Sequence, residues 1–221
     1  MNKSTILLCS CLLWTASAFA IEKNVSSPDG KVVVAVSDEG GAPSYSVTYN
    51  GIPFLLKSPL GIETNLGNYT SQMELSSASE NQALNETYQL PNIKQSHVEY
   101  QANRQVFTFS KDGKKIYDVI FQVSNRDVAF RYKLYPQKQT LCCVVLKEAT
   151  GFTMPQGTTT FMCPQSKPMG GFARTSPSYE TGYTPDDAIG KNGWGEGYTF
   201  PCLFRLNENG WVLISETGTD G

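Results

Sequence analysis

The side chains of this sequence best suited to chemistry gather near its C-terminal end. Glu180, Asp186, Asp187 and Glu196 lie within residues 170–197 (GGFARTSPSYETGYTPDDAIGKNGWGEG), and Glu216 follows the last apolar run. Paired carboxylates serve glycoside hydrolysis as acid and base or as acid and nucleophile, about 5 to 9.5 Å apart across the scissile bond. The same stretch carries Phe172, Tyr179, Tyr183 and Trp194, with Tyr198 and Phe200 just beyond. Aromatic rings stack on the apolar C–H faces of sugars, and carboxylates accept sugar hydroxyls or hold calcium. A loop carboxylate taken alone is most often a solvated surface group. Rings in a glycine-rich loop also serve simply to pin it down. It is the company of rings and acids that makes Tyr179, Tyr183, Trp194, Glu196 and Glu216 candidates for a sugar-binding rim.

Other chemistries lack their parts. A Ser–His–Asp or Cys–His site needs a base, and His97 is the one histidine of the chain. It sits in the alternating run Ser96-His97-Val98-Glu99-Tyr100, which reads as a half-exposed strand position. An aldose epimerase would need a histidine and a carboxylate converging in a concave sheet, for which a single histidine in a strand-like run is a poor start. Neither a Gly-x-Ser-x-Gly elbow nor a phosphate-cradling glycine loop occurs. No Cys-x-x-Cys spacing accompanies the histidine, so a zinc site is not expected. Cys142, Cys143, Cys163 and Cys202 lie outside the N-terminal apolar segment. Four cysteines allow three pairings, and export would permit any of them.

The elements that must position the candidate loop are strands. Residues 44–49 alternate, Asn50-Gly51 follows, and residues 52–56 run back. Residues 106–109 lead into Asp112-Gly113, and 116–123 return; residues 202–206 lead through Asn209-Gly210 to 211–214. Asn-Gly and Asp-Gly suit type I′ hairpins because both central residues tolerate positive φ. Asp29-Gly30 turns the chain before residues 32–36, and residues 124–127 turn it into 128–135. No convincing helical periodicity occurs outside the N-terminal segment. The expectation is an all-β fold of two large stacked antiparallel sheets. Residues 170–197 contain no strand run, and a loop so long in a compact domain is functional or disordered. Its aromatic content favours order.

The N-terminus reads as a leader. Lys3 precedes an apolar segment at 6–14, and Ala18-Phe19-Ala20 fits a signal-peptidase site. Residues 1–20 are therefore expected to be a signal peptide, with the mature domain at 21–221, exported to the periplasm. The formal net charge of −2 argues against nucleic acid or an anionic membrane as partner.

The order and spacing of several short motifs then resemble one family. Ser27-Pro28-Asp29-Gly30-Lys31, residues 41–49 (GAPSYSVTY), Leu60-Gly61-Ile62 and Asp127-Val128-Ala129-Phe130-Arg131-Tyr132 are similar to the N-terminal domain of glycoside hydrolase family 97. Residues 200–214, followed by Ser215-Glu216-Thr217, resemble the strand pair that closes that domain. The resemblance implies an exported α-glucosidase or α-galactosidase of Bacteroidetes type, acting from the non-reducing end. It implies a β-super-sandwich packed on a catalytic (β/α)8 barrel that is expected beyond residue 221 and supplies the acid and base. It also implies calcium in inverting members, with one ligand from this domain. Glu180, in Glu180-Thr181-Gly182-Tyr183-Thr184, matches that ligand's Glu-x-x-Tyr-Thr pattern, and Glu196 is the second choice. The expected partners are the domain's own barrel and an oligosaccharide. The alternative is a free-standing carbohydrate-binding module without hydrolase activity.

Overall fold

In the computed structural model, the described residues are 21–92, 94, 96–137, 139, 142–164, 183–191 and 197–216. Every regular element of any length among them is a strand. β1 (Glu22–Ser26), β2 (Val32–Ser37), β3 (Ser44–Tyr49) and β4 (Ile52–Pro59) form an antiparallel sheet in chain order. β2 shows why: Val32, Val34 and Val36 are buried while Val33, Ala35 and Ser37 are half-buried, the period-2 pattern of a sheet with one face to the core. Between β3 and β4, Asn50 (φ 50°) and Gly51 (φ 77°) are both left-handed, as a type I′ turn demands.

A short hairpin, β5 (Ile62–Thr64) and β6 (Gly67–Tyr69), leads to the second large sheet. That sheet comprises β7 (Glu74–Ala78), β8 (Gln82–Gln89), β9 (His97–Lys111), β10 (Lys114–Ser124) and β11 (Val128–Leu134). Its order is β11-β10-β9-β7, with β8 pairing the outer half of β9. Asp112 (φ 51°) and Gly113 (φ 71°) make the β9–β10 turn. At the β10–β11 turn, Ser124 Oγ donates to Asp127 Oδ2 (2.7 Å) and accepts from the amides of Arg126 and Asp127.

The two sheets stack face to face, as the hairpin pattern predicts. Tyr45 of β3 meets Phe121 of β10 (5.7 Å between ring centroids) and Phe130 of β11 (5.4 Å). Phe107, Phe109, Tyr117, Val119 and Val123 fill the interior around them. β10 is central and buried on both faces, which places Asp118 in the interior. Its carboxylate accepts from Thr108 Oγ1 and from the Tyr135 hydroxyl, each at 2.8 Å. The Tyr132 hydroxyl accepts from the Gly61 amide (3.0 Å). Thr150 donates to Glu148, which leaves Tyr132 to donate to Thr150 (2.9 Å). Burial pushes the Tyr132 phenol up to about 12 and raises Tyr45 and Tyr117 further.

β12 (Val145–Glu148) reaches back to pair with β5. The last sheet is built from β13 (Thr159–Thr160), β14 (Asp187–Ala188), β15 (Cys202–Arg205) and β16 (Trp211–Ile214), in the order β14-β13-β15-β16. It has its own small core of Met162, Cys202, Phe204 and Leu206, to which Phe54 and Met154 connect the main sandwich.

Two expectations are corrected here. Asn209-Gly210 is not a two-residue type I′ turn. The strands stop at Arg205 and Trp211, and the left-handed residues are Asn207 (φ 48°) and Gly210 (φ 129°). Leu206 keeps the inward alternation of Cys202 and Phe204 and its amide donates to the Gly210 carbonyl (2.8 Å), so Asn207–Asn209 form the bend, with Asn207 held by its side-chain bond to the Gln156 carbonyl (3.3 Å). The stretch 170–197 is not wholly without strand, because β14 lies within it. Cys142 and Cys143 are exposed free thiols just ahead of β12, and the Cys202 thiol is free and buried.

Candidate functional site

The long connection begins at Phe161, after β13, and returns at Pro201, before β15. Since β13 and β15 are hydrogen-bonded neighbours, its two ends start side by side. A bridge between Pro164 and Tyr198 and the bond from the Thr199 amide to the Cys163 carbonyl (3.0 Å) clasp them together. Its middle is held by β14, which pairs with β13 through Thr159↔Ala188 and Thr160↔Asp187.

Asp186 stands at the entry to β14 with φ 56°, a conformation that aspartate tolerates better than most side chains. Its Oδ1 accepts from Thr159 Oγ1 (2.8 Å) and from Arg205 Nη2 (2.8 Å). Arg205 in turn lies over the Trp211 ring at 6.0 Å, within cation–π range. Trp211 meets Phe161 at 5.4 Å. Thr159, Arg205 and Trp211 are direct cross-strand partners on β13, β15 and β16, so they share the outer face of the sheet. Asp187, the next residue, turns the other way. Its carboxylate accepts from the Ala188 amide (2.8 Å) and lies 3.7 Å from Lys191 Nζ. Asp186 is thus engaged by Thr159 and Arg205 while Asp187 is engaged by Ala188 and Lys191, so the two carboxylates serve separate partners rather than an acid–base pair.

Of the residues singled out from the sequence, Tyr179, Glu180, Trp194 and Glu196 lie outside the described residues, as does Phe172. Tyr183 is 52 % exposed. Glu216 is exposed two residues past β16. Among the described residues no three His, Cys, Asp or Glu side chains come together to hold a metal. His97 is exposed at the outer start of β9, with Nε2 3.7 Å from Glu99 Oε1. A polar pocket of about 100 Å³ opens among Glu22, Ser37, Ser46 and Lys57, well below the roughly 300 to 1,000 Å³ of ligand clefts.

Sequence reasoning missed the Asp186–Arg205 bond, and the one signal available concerned the apolar outer face beside it. Residues 202–206 and 211–214 (CLFRL, WVLI) are nearly unbroken apolar runs, the pattern of strands covered on both faces.

Comparison with known proteins gives a consistent answer. The family described as "Glycosyl-hydrolase 97 N-terminal" matches residues 25–221. The crystal structure of a β-arabinopyranosidase superimposes with TM-score 0.84 and 46 % identity, over 90 % of this chain and 32 % of that one. A glycoside hydrolase family 97 enzyme from Pseudoalteromonas sp. strain K8, solved with panose and with acarbose, gives TM-score 0.59 and 27 % identity. That match covers 64 % of this chain and 22 % of the enzyme. The chain thus spans a third or less of the length of these solved relatives. The curated proteins gave no match.

Proposed function

The chain belongs to glycoside hydrolase family 97 as an N-terminal domain, and on that footing we propose that it is the non-catalytic lobe of an exported, exo-acting glycosidase. The coverage carries the reading: the family's N-terminal domain accounts for residues 25–221, while the 46 %-identical relative has about two-thirds of its chain outside the match. The acid and base would reside on that further polypeptide, a (β/α)8 barrel. This lobe would brace it and lend the connection between β13 and β15 to the rim of the active site, with Tyr183 and Glu216 among the exposed contributors. Glu180, or failing it Glu196, would give calcium one carboxylate, a hard oxygen ligand of the kind that ion takes.

The substrate is proposed to be an α-galactopyranoside or a β-L-arabinopyranoside rather than an α-glucoside. The two favoured sugars share one ring stereochemistry and differ by the C6 hydroxymethyl group. The relative at 46 % identity is a β-arabinopyranosidase, whereas the enzyme solved with panose and acarbose is 27 % identical.

The test is to express residues 21–221 and, separately, the complete reading frame. Aryl α-galactoside, β-L-arabinopyranoside and α-glucoside are then offered to both. The complete protein should hydrolyse the first two, and residues 21–221 should release nothing above buffer. Turnover by residues 21–221 alone would overturn the reading. Calorimetry of the complete protein with calcium, with and without Glu180→Gln, tests the metal assignment.

A further inference from the structure

We infer that the outer face of the β14-β13-β15-β16 sheet, centred on Trp211 and Leu213, is the surface on which the remaining polypeptide of the parent glycosidase docks. The inference rests on the functional reading above and adds to it the place of contact.

The sheet is apolar on both sides. Cys202 and Phe204 of β15 pair with Ile214 and Val212 of β16 and point, with Met162, into the small core. The alternate pairs, Leu203↔Leu213 and Arg205↔Trp211, point outward, with the Phe161 ring against Trp211. Trp211 is 54 % exposed and Leu213 is 63 % exposed. An antiparallel sheet with one wet face carries polar residues there, and β3 and β11 of the main sandwich follow that rule. The outward positions of β11 are Ala129, Arg131 and Lys133, and those of β3 are Ser46 and Thr48. The outward positions of β16 are a tryptophan and a leucine instead.

β16 is also an edge strand. An edge with exposed large apolar side chains invites association, and natural proteins cover such edges or blunt them with charge. Here the nearest charged outward group, Arg205, is bound to Asp186 and lies over the Trp211 ring. It borders the apolar patch without breaking it. Large aromatic and aliphatic side chains rimmed by a satisfied ion pair make the usual centre and margin of a protein interface. The occupant follows from the comparisons. In the 46 %-identical relative about two-thirds of the chain lies outside the matched region, and the matched family is the N-terminal domain, so that mass follows the domain whose last described strand is β16.

The experiment places a cysteine at Leu213 (Leu213→Cys) in residues 21–221 and in the complete enzyme. The rate of maleimide labelling of the peptide carrying it is read by mass spectrometry, which separates it from Cys142 and Cys143. Thr87→Cys, on the polar side of the β8–β9 ribbon, is the reference. Labelling at position 213 should be about tenfold or more slower in the complete enzyme, where it must wait for the domains to part. The reference should label equally in both. Equal rates at position 213 in an active complete enzyme overturn the docking face and leave the functional reading standing. A reading frame with no further domain removes both. Protection already present in residues 21–221, accompanied by dimers in sedimentation, assigns the face to a second copy and likewise overturns the proposal.

Discussion

The stacked pair of large sheets and the small C-terminal sheet solve the same problem in different ways. In the large pair, alternate residues enter one shared interior, where Tyr45, Phe107, Phe121 and Phe130 interlock, and the outward positions of β3 and β11 are small, polar or charged. The C-terminal sheet has four buried core residues and still presents Phe161, Leu203, Trp211 and Leu213 on its other face. The first arrangement is complete in itself. The second reads as half of a larger interior, one that also launches the connection bearing the candidate rim residues.

That contrast can be tested by removing groups from each region. The largest effect is expected for Phe121→Ala, whose ring meets those of Tyr45, Phe107 and Phe130 at 5.1 to 5.8 Å. A loss of about 3 to 5 kcal/mol is expected in urea unfolding; a loss below about 1 kcal/mol would mean that the main interior is not the source of stability. Next comes Asp118→Ala, which strips Thr108 and Tyr135 of their acceptor. It should cost about 1 to 3 kcal/mol, the range for a buried donor, here Thr108, left unpaired.

Tyr132→Phe should cost about 1 kcal/mol and should change the response to alkali. Burial holds this phenol protonated up to about pH 12, against an ordinary value of 10.0. The unfolded chain ionises first, so the stabilisation is intact below pH 10 and is lost as pH rises through about 12. Unfolding curves taken across that window should fall less steeply for the variant. An unchanged slope would place the alkaline sensitivity with Tyr45 and Tyr117.

A comparable or smaller effect is expected for Trp211→Ser in residues 21–221. A half-exposed ring that touches Phe161 and Arg205 on the outer face should shift unfolding by no more than about 1.5 kcal/mol. A much larger shift would show that the outer face of the C-terminal sheet is already part of a finished core.

Much of the fold was legible from local chemistry. The Asn50-Gly51 and Asp112-Gly113 turns adopt the left-handed pairs that their residue types favour, and β2, β3, β9, β10 and β11 lie where the alternating runs stand. The Asn209-Gly210 signal misled because the bend takes in Asn207–Asn209, closed by the Leu206 amide on the Gly210 carbonyl and pinned from outside the hairpin by Asn207 on the Gln156 carbonyl. Of the candidate site, the sequence names Tyr183 and Glu216 as rim candidates, and both are exposed in the structure. The bond between Asp186 and Arg205 is not legible there, because β13 separates the strands that carry them.

By itself, the sequence determined the strand periods, the tight turns and the resemblance to the N-terminal domain of glycoside hydrolase family 97, since each of these rests on residues close together in the chain. Tertiary structure alone decided that Asp118 is buried between two hydroxyl donors, that Asp186 meets Arg205, and that Trp211 and Leu213 share an uncovered face. Those outcomes depend on which strands become neighbours and in what register, and a shift of one residue would send every such side chain to the opposite side of its sheet.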